Sequence, residues 1–203
     1  MWTADDAWTD KTVVCVAGGP SLDLRQVRAI GMARSSAKVA VIAVNDAIYP
    51  CWFADTLYAC DAKWWRYHFD VVKFPGEKIS GEKVPFWAVE QVTFTGHEGF
   101  DHDNADGIRT GGNSGYQALQ IAVKRGAKRV LLAGFDMHDG DNVHWFGSHP
   151  ESLAMSPSMH RRRQCFNALA EACAGLGVQV VNCSPGSALK AFRAGRLEVE
   201  LQS

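Results

Sequence analysis

The sequence predicts an α/β fold: a single Rossmann-like domain with a mostly parallel sheet flanked by helices and an irregular lid region in the middle. Three observations predict it. Strand-like apolar runs alternate with helix-patterned segments. The runs are apolar along their full length, as in strands covered on both faces. Polar or glycine clusters then close the runs at Gly18-Gly19, Asn45-Asp46, Asp61, Gly134-Asp136 and Asn182-Ser184. At 203 residues the chain reads as one domain, 1–203, with an irregular insert at about 62–112. A chain of this size buries roughly 70% of its unfolded surface.

Lys11–Ala17 is the first expected strand. Gly18-Gly19 turns the backbone, and Pro20-Ser21 opens a helix over Ser21–Ala33 with Leu24, Val27 and Ile30 at helical spacing. Lys38–Val44 and Asp55–Cys60 are the next strands, followed by the insert with Pro75, Pro85 and strands expected at Ile79 and near Val92. A helix then runs from Gly111-Gly112-Asn113-Ser114-Gly115 through Arg125, with Gly126 as its stop. Lys128–Ala133 is a buried strand, and the polar loop 137–156 leads to a helix from about Pro157 to Gly175. Ser156 is suited to cap that helix, with Pro157 in its first turn. Gly177–Cys183 is the last strand and Ser187–Phe192 a short terminal helix.

Composition narrows the function. Apolar content of 47%, charged content of 21% and a net charge of −1 describe a soluble globular protein without a whole-chain footprint for a polyanion. The longest apolar run, Val39–Val44, is too short to span a bilayer, and Met1–Asp6 is acidic with no signal core, so a cytoplasmic protein is expected. The six cysteines show no C-x-x-C spacing and read as small reduced core residues. Trp64-Trp65 and Trp87 read as core, with stacking on a ligand base as the alternative.

In open parallel sheets, ligands bind beyond the carboxyl ends of the strands, which singles out the five clusters above. Backbone N–H groups in the Gly18-Gly19-Pro20-Ser21 turn, at a helix N-terminus, suit a phosphate. An ordinary strand–turn–helix is the competing reading, since neither G-x-G-x-x-G nor a Walker loop is present. His138, Asp139, Asp141, His144, His149 and His160 supply enough N and O ligands for a divalent ion, but in no H-E-x-x-H or closed tetrahedral spacing. Magnesium held by Asp136 or Asp139 with a nucleotide's phosphates is the other metal reading. Asp101-His102-Asp103 reads as a solvated loop despite its D-x-D pattern. Arg161-Arg162-Arg163, with Lys124, Arg125, Lys128 and Arg129, reads as solvated helix ends rather than a nucleic-acid footprint.

Six pieces in order, Ala17-Gly18-Gly19-Pro20-Ser21-Leu22, Val44-Asn45, Arg109 with Ser114-Gly115, Ala133-Gly134-Phe135-Asp136, His160 and Cys183-Ser184-Pro185, resemble the bacterial sialyltransferases of glycosyltransferase family 42. More loosely they resemble the wider superfamily holding the archaeal 6-hydroxymethyl-dihydropterin pyrophosphokinases. The compact form looks like short relatives carried by phages. The resemblance implies a nucleotide-binding α/β domain and a nucleotide-activated sugar donor. Gly18, Gly19, Pro20 and Ser21 would hold donor phosphate and ribose. Asn45 and Ser114-Gly115 would contact the nucleotide and sugar, with Asp61, Arg109 and Asp136 also at the site. His160 falls where the family has its general base, a role an imidazole suits near neutrality; a surface histidine beside three arginines is the other reading. The family's two tyrosines that support the departing phosphate are replaced by His138 and His144, which puts CMP-sialic acid itself in doubt.

The expected function is therefore glycosyl transfer from a CMP- or UDP-linked sugar to the hydroxyl of a soluble acceptor. It needs no cofactor, and His160, His138 and His144 are its catalytic residues. A nucleic-acid acceptor is conceivable but has no residue in its favour. Two other readings stand beside it: magnesium-dependent pyrophosphokinase or nucleotidyl chemistry on a small heterocycle, carried by Asp61, Asp136 and Asp139, and a nucleotide-binding module without turnover.

Overall fold

The computed structural model describes residues 1–85, 87–139 and 159–202. Its elements run β1 (Thr12–Val16), α1 (Leu24–Ser35), β2 (Val39–Val44), β3 (Thr56–Ala59), α2 (Ala62–Tyr67), β4 (Glu77–Ser80), β5 (Glu90–Gln91), β6 (Thr93–Phe94), β7 (Gly107–Ile108), α3 (Ser114–Lys124), β8 (Arg129–Ala133), α4 (Met159–Gly175), β9 (Gln179–Asn182), β10 (Arg193–Ala194) and α5 (Leu197–Glu200). Eight strands form one sheet in the order β10-β9-β8-β1-β2-β3-β4-β5, and every neighbouring pair is parallel. This is the expected α/β architecture. β6 and β7 form a separate two-stranded parallel sheet.

Side chains of a strand alternate between faces, and the core divides accordingly. Val13, Cys15, Ile42 and Leu132 pack with Tyr116, Leu119, Phe166 and Leu169 of α3 and α4. Val14, Val16, Val41 and Leu131 pack on the other face with Val27 and Ile30 of α1 and with Leu197 of α5. After β1 the chain crosses to β2, on one side; after β8 it crosses to β9, on the other. β1 and β8 are aligned residue for residue from Thr12–Arg129 to Val16–Ala133, so their carboxyl ends are flush. Connections leaving adjacent strands in opposite directions open a crevice at that point, the position where open α/β sheets bind ligands.

Four expectations need correction. α1 starts at Leu24 rather than Ser21, because Ser21 is engaged elsewhere and Asp23 with Gln26 forms a reciprocal capping box. Leu24 is consequently 70% exposed instead of core. No helix spans 187–192: the Ser187 hydroxyl and its neighbours brace the end of β8, and β10 and α5 follow instead. The strand expected near Val92 is two, β5 in the main sheet and β6 in the small one. The segment 62–112 thus adds β4 and β5 to the main sheet, and it begins with a helix, α2, that was not expected. All six cysteines are free thiols, Cys60 half-buried and the others buried.

Candidate functional site

The turn after β1 is fastened to the exit of β8. Ala17 N–H donates to Ala133 O at 2.8 Å and Gly19 N–H to Gly134 O at 2.9 Å. The Asp136 carboxylate accepts from Ser21 N–H at 3.0 Å and from the Ser21 hydroxyl at 2.8 Å. Only glycine permits this approach: a Cβ on Gly19 would lie 2.0 Å from Asp136 Oδ2 and 2.4 Å from Gly134 O. Gly134 adopts φ +71°, with a Cβ position 2.2 Å from Ala17 O. Behind this junction, Ser184 Oγ accepts from Phe135 N–H at 2.6 Å, Ser187 Oγ donates to Phe135 O at 2.6 Å, and Ala188 N–H donates to Asp136 O at 2.8 Å. The N–H groups of Gly19 and Ser21, expected to face a phosphate, are therefore donated to the chain's own oxygens. Gly18 is half-buried and Pro20 exposed at the rim.

The N-terminus of α3 lies beside the same exit. Asn113 caps it, accepting from Tyr116 N–H at 3.0 Å. A Cβ on Gly115 would lie 2.6 Å from Phe135 Cε1, so the helix end presses on the residue before Asp136. First-turn N–H groups, here those of Ser114 and Gly115, have no partner within a helix, and the helix dipole favours an anion there. Ser114 is half-buried.

The start of α4 is pinned three residues past Asp136. Asp139 accepts from Met159 N–H at 3.1 Å and from Arg163 Nη2 at 2.8 Å, while Arg163 Nη1 donates to Met137 O at 2.6 Å. The hydrogen bond from Arg163 is the main cause that holds the Asp139 carboxyl below its ordinary value. His160, in the first turn of α4, and His138 are both exposed. His144 lies outside the described residues, as do Asp141, His149, Ser156 and Pro157.

Farther along the strand ends, Asn45 holds φ +51° at the start of a short 3-10 turn and is half-buried. Asp61, also half-buried, is raised above the usual carboxylate value by burial first and by Glu82 second, against the opposing charges of Lys63 and Arg162. Arg162 belongs to α4, so that helix and the end of β3 act on each other electrostatically. Buried Asp46 accepts from Trp64 Nε1 at 3.1 Å and lies 3.2 Å from His68 Nε2, whose Nδ1 is 2.6 Å from the Tyr49 hydroxyl. Sequence reasoning missed this carboxylate–imidazole–phenol array. Its one signal was Asp46 at a strand end, since His68 follows the unexpected α2. Trp64 and Trp65 are core residues, and Trp87 packs edge-on to Trp65.

Arg109 turns into its own loop. Its Nη1 donates to Thr95 O, and its Nη2 lies 3.8 Å from Asp101 Oδ2. Asp101 is buried rather than solvated. Its carboxyl is lowered chiefly by a hydrogen bond to Thr95, then by the N–H groups of Asn104 and Asp103 and by Arg109. The structure thus brings Gly18, Gly19, Pro20, Ser21, Ser114, Gly115, Asp136 and the α4 turn bearing His160 to the exit of β8. Asn45 and Asp61 lie along the same edge of the sheet, at the ends of β2 and β3.

The strand order and the opposite crossovers from β1 and β8 define a doubly wound parallel α/β fold. Among solved structures, the chain is similar to the Maf glycosyltransferase of Magnetospirillum magneticum AMB-1, with a TM-score of 0.65 and 14% identity over 97% of this chain. It spans 35% of that protein's length. It is also similar to the sialyltransferase CstII of Campylobacter jejuni, solved with the substrate analogue cytidine-5'-monophosphate: TM-score 0.51, 13% identity, covering 93% of this chain and 87% of that one. A second CstII structure, with CMP-3FNeuAc, matches at 12% identity and the same TM-score of 0.51. These likenesses establish a shared fold. No protein-family model matches the chain, and no curated protein matches it by sequence. Among the described residues, no helix is long and apolar enough to cross a membrane.

Proposed function

We propose that this chain is a glycosyltransferase that moves a sugar from a CMP- or UDP-linked donor to the hydroxyl of a soluble acceptor. The observation that carries the reading is the crevice between β1 and β8, bordered by the α3 N-terminus and by the turn bearing His160, in a fold shared with two glycosyltransferases. The donor phosphate lies against the N–H groups of Ser114 and Gly115, beside the rim formed by Gly18, Pro20 and Ser21. Asp136 acts as a positioning residue: it holds the Ser21 turn and leaves the anion to α3. Asn45 contacts the nucleotide.

In the reaction, His160 takes the acceptor's hydroxyl proton as the oxygen bonds to the anomeric carbon. The glycosyl–phosphate bond breaks, and its electron pair leaves with the nucleotide. His138 and His144 donate hydrogen bonds to that departing phosphate. Transfer requires no metal. The magnesium-dependent pyrophosphokinase reading loses support because two of its three carboxylates are engaged, Asp136 by Ser21 and Asp139 by Arg163 and the α4 backbone.

Thermal stabilisation by nucleotides and nucleotide sugars, with and without magnesium, tests the proposal. Ligand at 100 times its dissociation constant adds about 2.7 kcal/mol. A metal-independent shift with CMP, UDP or their sugars, followed by product with a hydroxyl acceptor, supports it. A shift confined to ATP with magnesium overturns it in favour of phosphoryl transfer. Tight binding without product across a broad acceptor panel overturns it in favour of a nucleotide-binding module.

A further inference from the structure

His97 and Glu98 are neighbours in the chain and meet Cys165, 67 positions beyond Glu98, only in three dimensions. The first two sit in the loop between β6 and β7, and Cys165 lies on α4. His97 Nε2 is 3.7 Å from Cys165 Sγ, and Glu98 Oε1 is 3.6 Å from the same sulfur. One ligand atom from each residue falls within 4.8 Å of the other two, and this is the one such triad among the described residues. Zinc binds thiolate at about 2.3 Å and imidazole or carboxylate at about 2.0–2.2 Å, so tetrahedral angles place neighbouring S and N or O ligands about 3.6 Å apart. Two of the three edges already have that length.

The imidazole is also aimed. His97 Nδ1 is 2.8 Å from the Thr110 hydroxyl, which leaves Nε2 turned to the sulfur. A hydrogen bond from the distal ring nitrogen is what fixes tautomer and orientation in metal-ligating histidines. The loop itself is fixed: Thr110 N–H donates to Gly96 O at 2.9 Å and Gly111 N–H to His97 O at 2.8 Å. Cys165 has an ordinary helical partner as well, Arg161 O at 3.5 Å. That partner explains a buried thiol, but not an aimed histidine and a carboxylate converging on the same sulfur.

We propose that His97 Nε2, Glu98 and Cys165 Sγ form a zinc site with its fourth position open to water. His97 and Glu98 are exposed and Cys165 buried, so the ion enters from solvent and closes the exposed ligands onto the helix. Binding exchanges metal-bound water for the three side chains and releases the Cys165 thiol proton to solvent. The ion ties the loop between β6 and β7 to α4, five residues from His160. It takes no part in glycosyl transfer, so the proposal stands or falls separately from that function.

The test is cobalt(II) titration of the reduced, metal-free full chain, followed by displacement with zinc. The expected result is one equivalent bound, with tetrahedral d–d bands and a sulfur-to-cobalt charge-transfer band, both lost on adding zinc. Cys165→Ser removes the charge-transfer band, and His97→Ala weakens zinc binding at least tenfold. Thr110→Val, which leaves all three ligands in place, weakens zinc binding about tenfold through the lost orienting bond. Far-UV circular dichroism and thermal midpoints of the metal-free variants matching wild type show that they are folded. Absence of the charge-transfer band overturns the proposal. So does cobalt binding that survives unchanged in both Cys165→Ser and His97→Ala, which would place the ion elsewhere.

Discussion

The turn after β1 and the first turn of α4 both abut the exit of β8, yet they use their polar groups in opposite ways. In the turn, Gly19 N–H, Ser21 N–H, the Ser21 hydroxyl and both Asp136 oxygens are paired within the chain. At α4, Asp139 and Arg163 secure the backbone while His160 stands exposed beside them. One wall fixes shape and the other presents a titratable group. The difference teaches that the glycine turn, the more conspicuous feature in the sequence, spends its donors on the chain itself, whereas the α4 turn leaves its imidazole accessible.

The largest effect that tests this contrast is on turnover. His160→Ala should lower transfer by about 10²- to 10⁴-fold, the span of general-base contributions, with donor affinity held within a few-fold. Parallel loss of binding and turnover, measured by calorimetry and product formation, would remove His160 from the base role. On the scaffolding side, Gly19→Ala should cost about 3 kcal/mol in urea denaturation, because its Cβ meets the Gly134 carbonyl and the Asp136 carboxylate at once. A loss of less than about 1 kcal/mol would mean that the junction yields, and that it does not define the crevice.

Asp136→Ala should cost about 1–3 kcal/mol by leaving the Ser21 donors unpaired, and should weaken donor binding by disordering the rim. Unchanged stability would contradict the bracing role. Asp61→Asn acts in the other direction. Because the folded carboxyl holds its proton more tightly than the unfolded one, its charge costs stability above the folded pKa. That cost fades as pH falls through the folded pKa and is gone below the unfolded one. The variant should therefore raise the thermal midpoint at neutral pH and lose its advantage in acid. The smallest effect is Gly175→Ala at the end of α4, where a Cβ meets nothing within 4 Å: a gain of about 0.5 kcal/mol.

The sheet was legible because β1, β2 and β8 are unbroken apolar runs, and buried parallel strands leave that mark. The glycine and aspartate clusters at their ends marked the crevice for the same reason. β7 and β10 were not legible, and β5 and β6 only as one strand near Val92, since two residues carry no period. The expected start of α1 lies three residues early, because only the fold shows that Ser21 answers to Asp136, 115 positions away. The helix expected over Ser187–Phe192 does not form because the Ser187 hydroxyl is bonded to Phe135 O, 52 positions away. The gathering of His97 and Glu98 with Cys165 depends on how the loop between β6 and β7 meets α4, which no local pattern encodes.

The brevity of the outermost strands has a consequence for colloidal behaviour. The eight-stranded sheet ends in β10 on one side and β5 on the other, each two residues long. An exposed edge recruits foreign chains through its row of unpaired amides and carbonyls, and a ladder this short offers too few rungs to template one. Concentrated native protein should accordingly stay free of strand-added filaments, with precipitation on heating arising from unfolded chains rather than from the folded sheet.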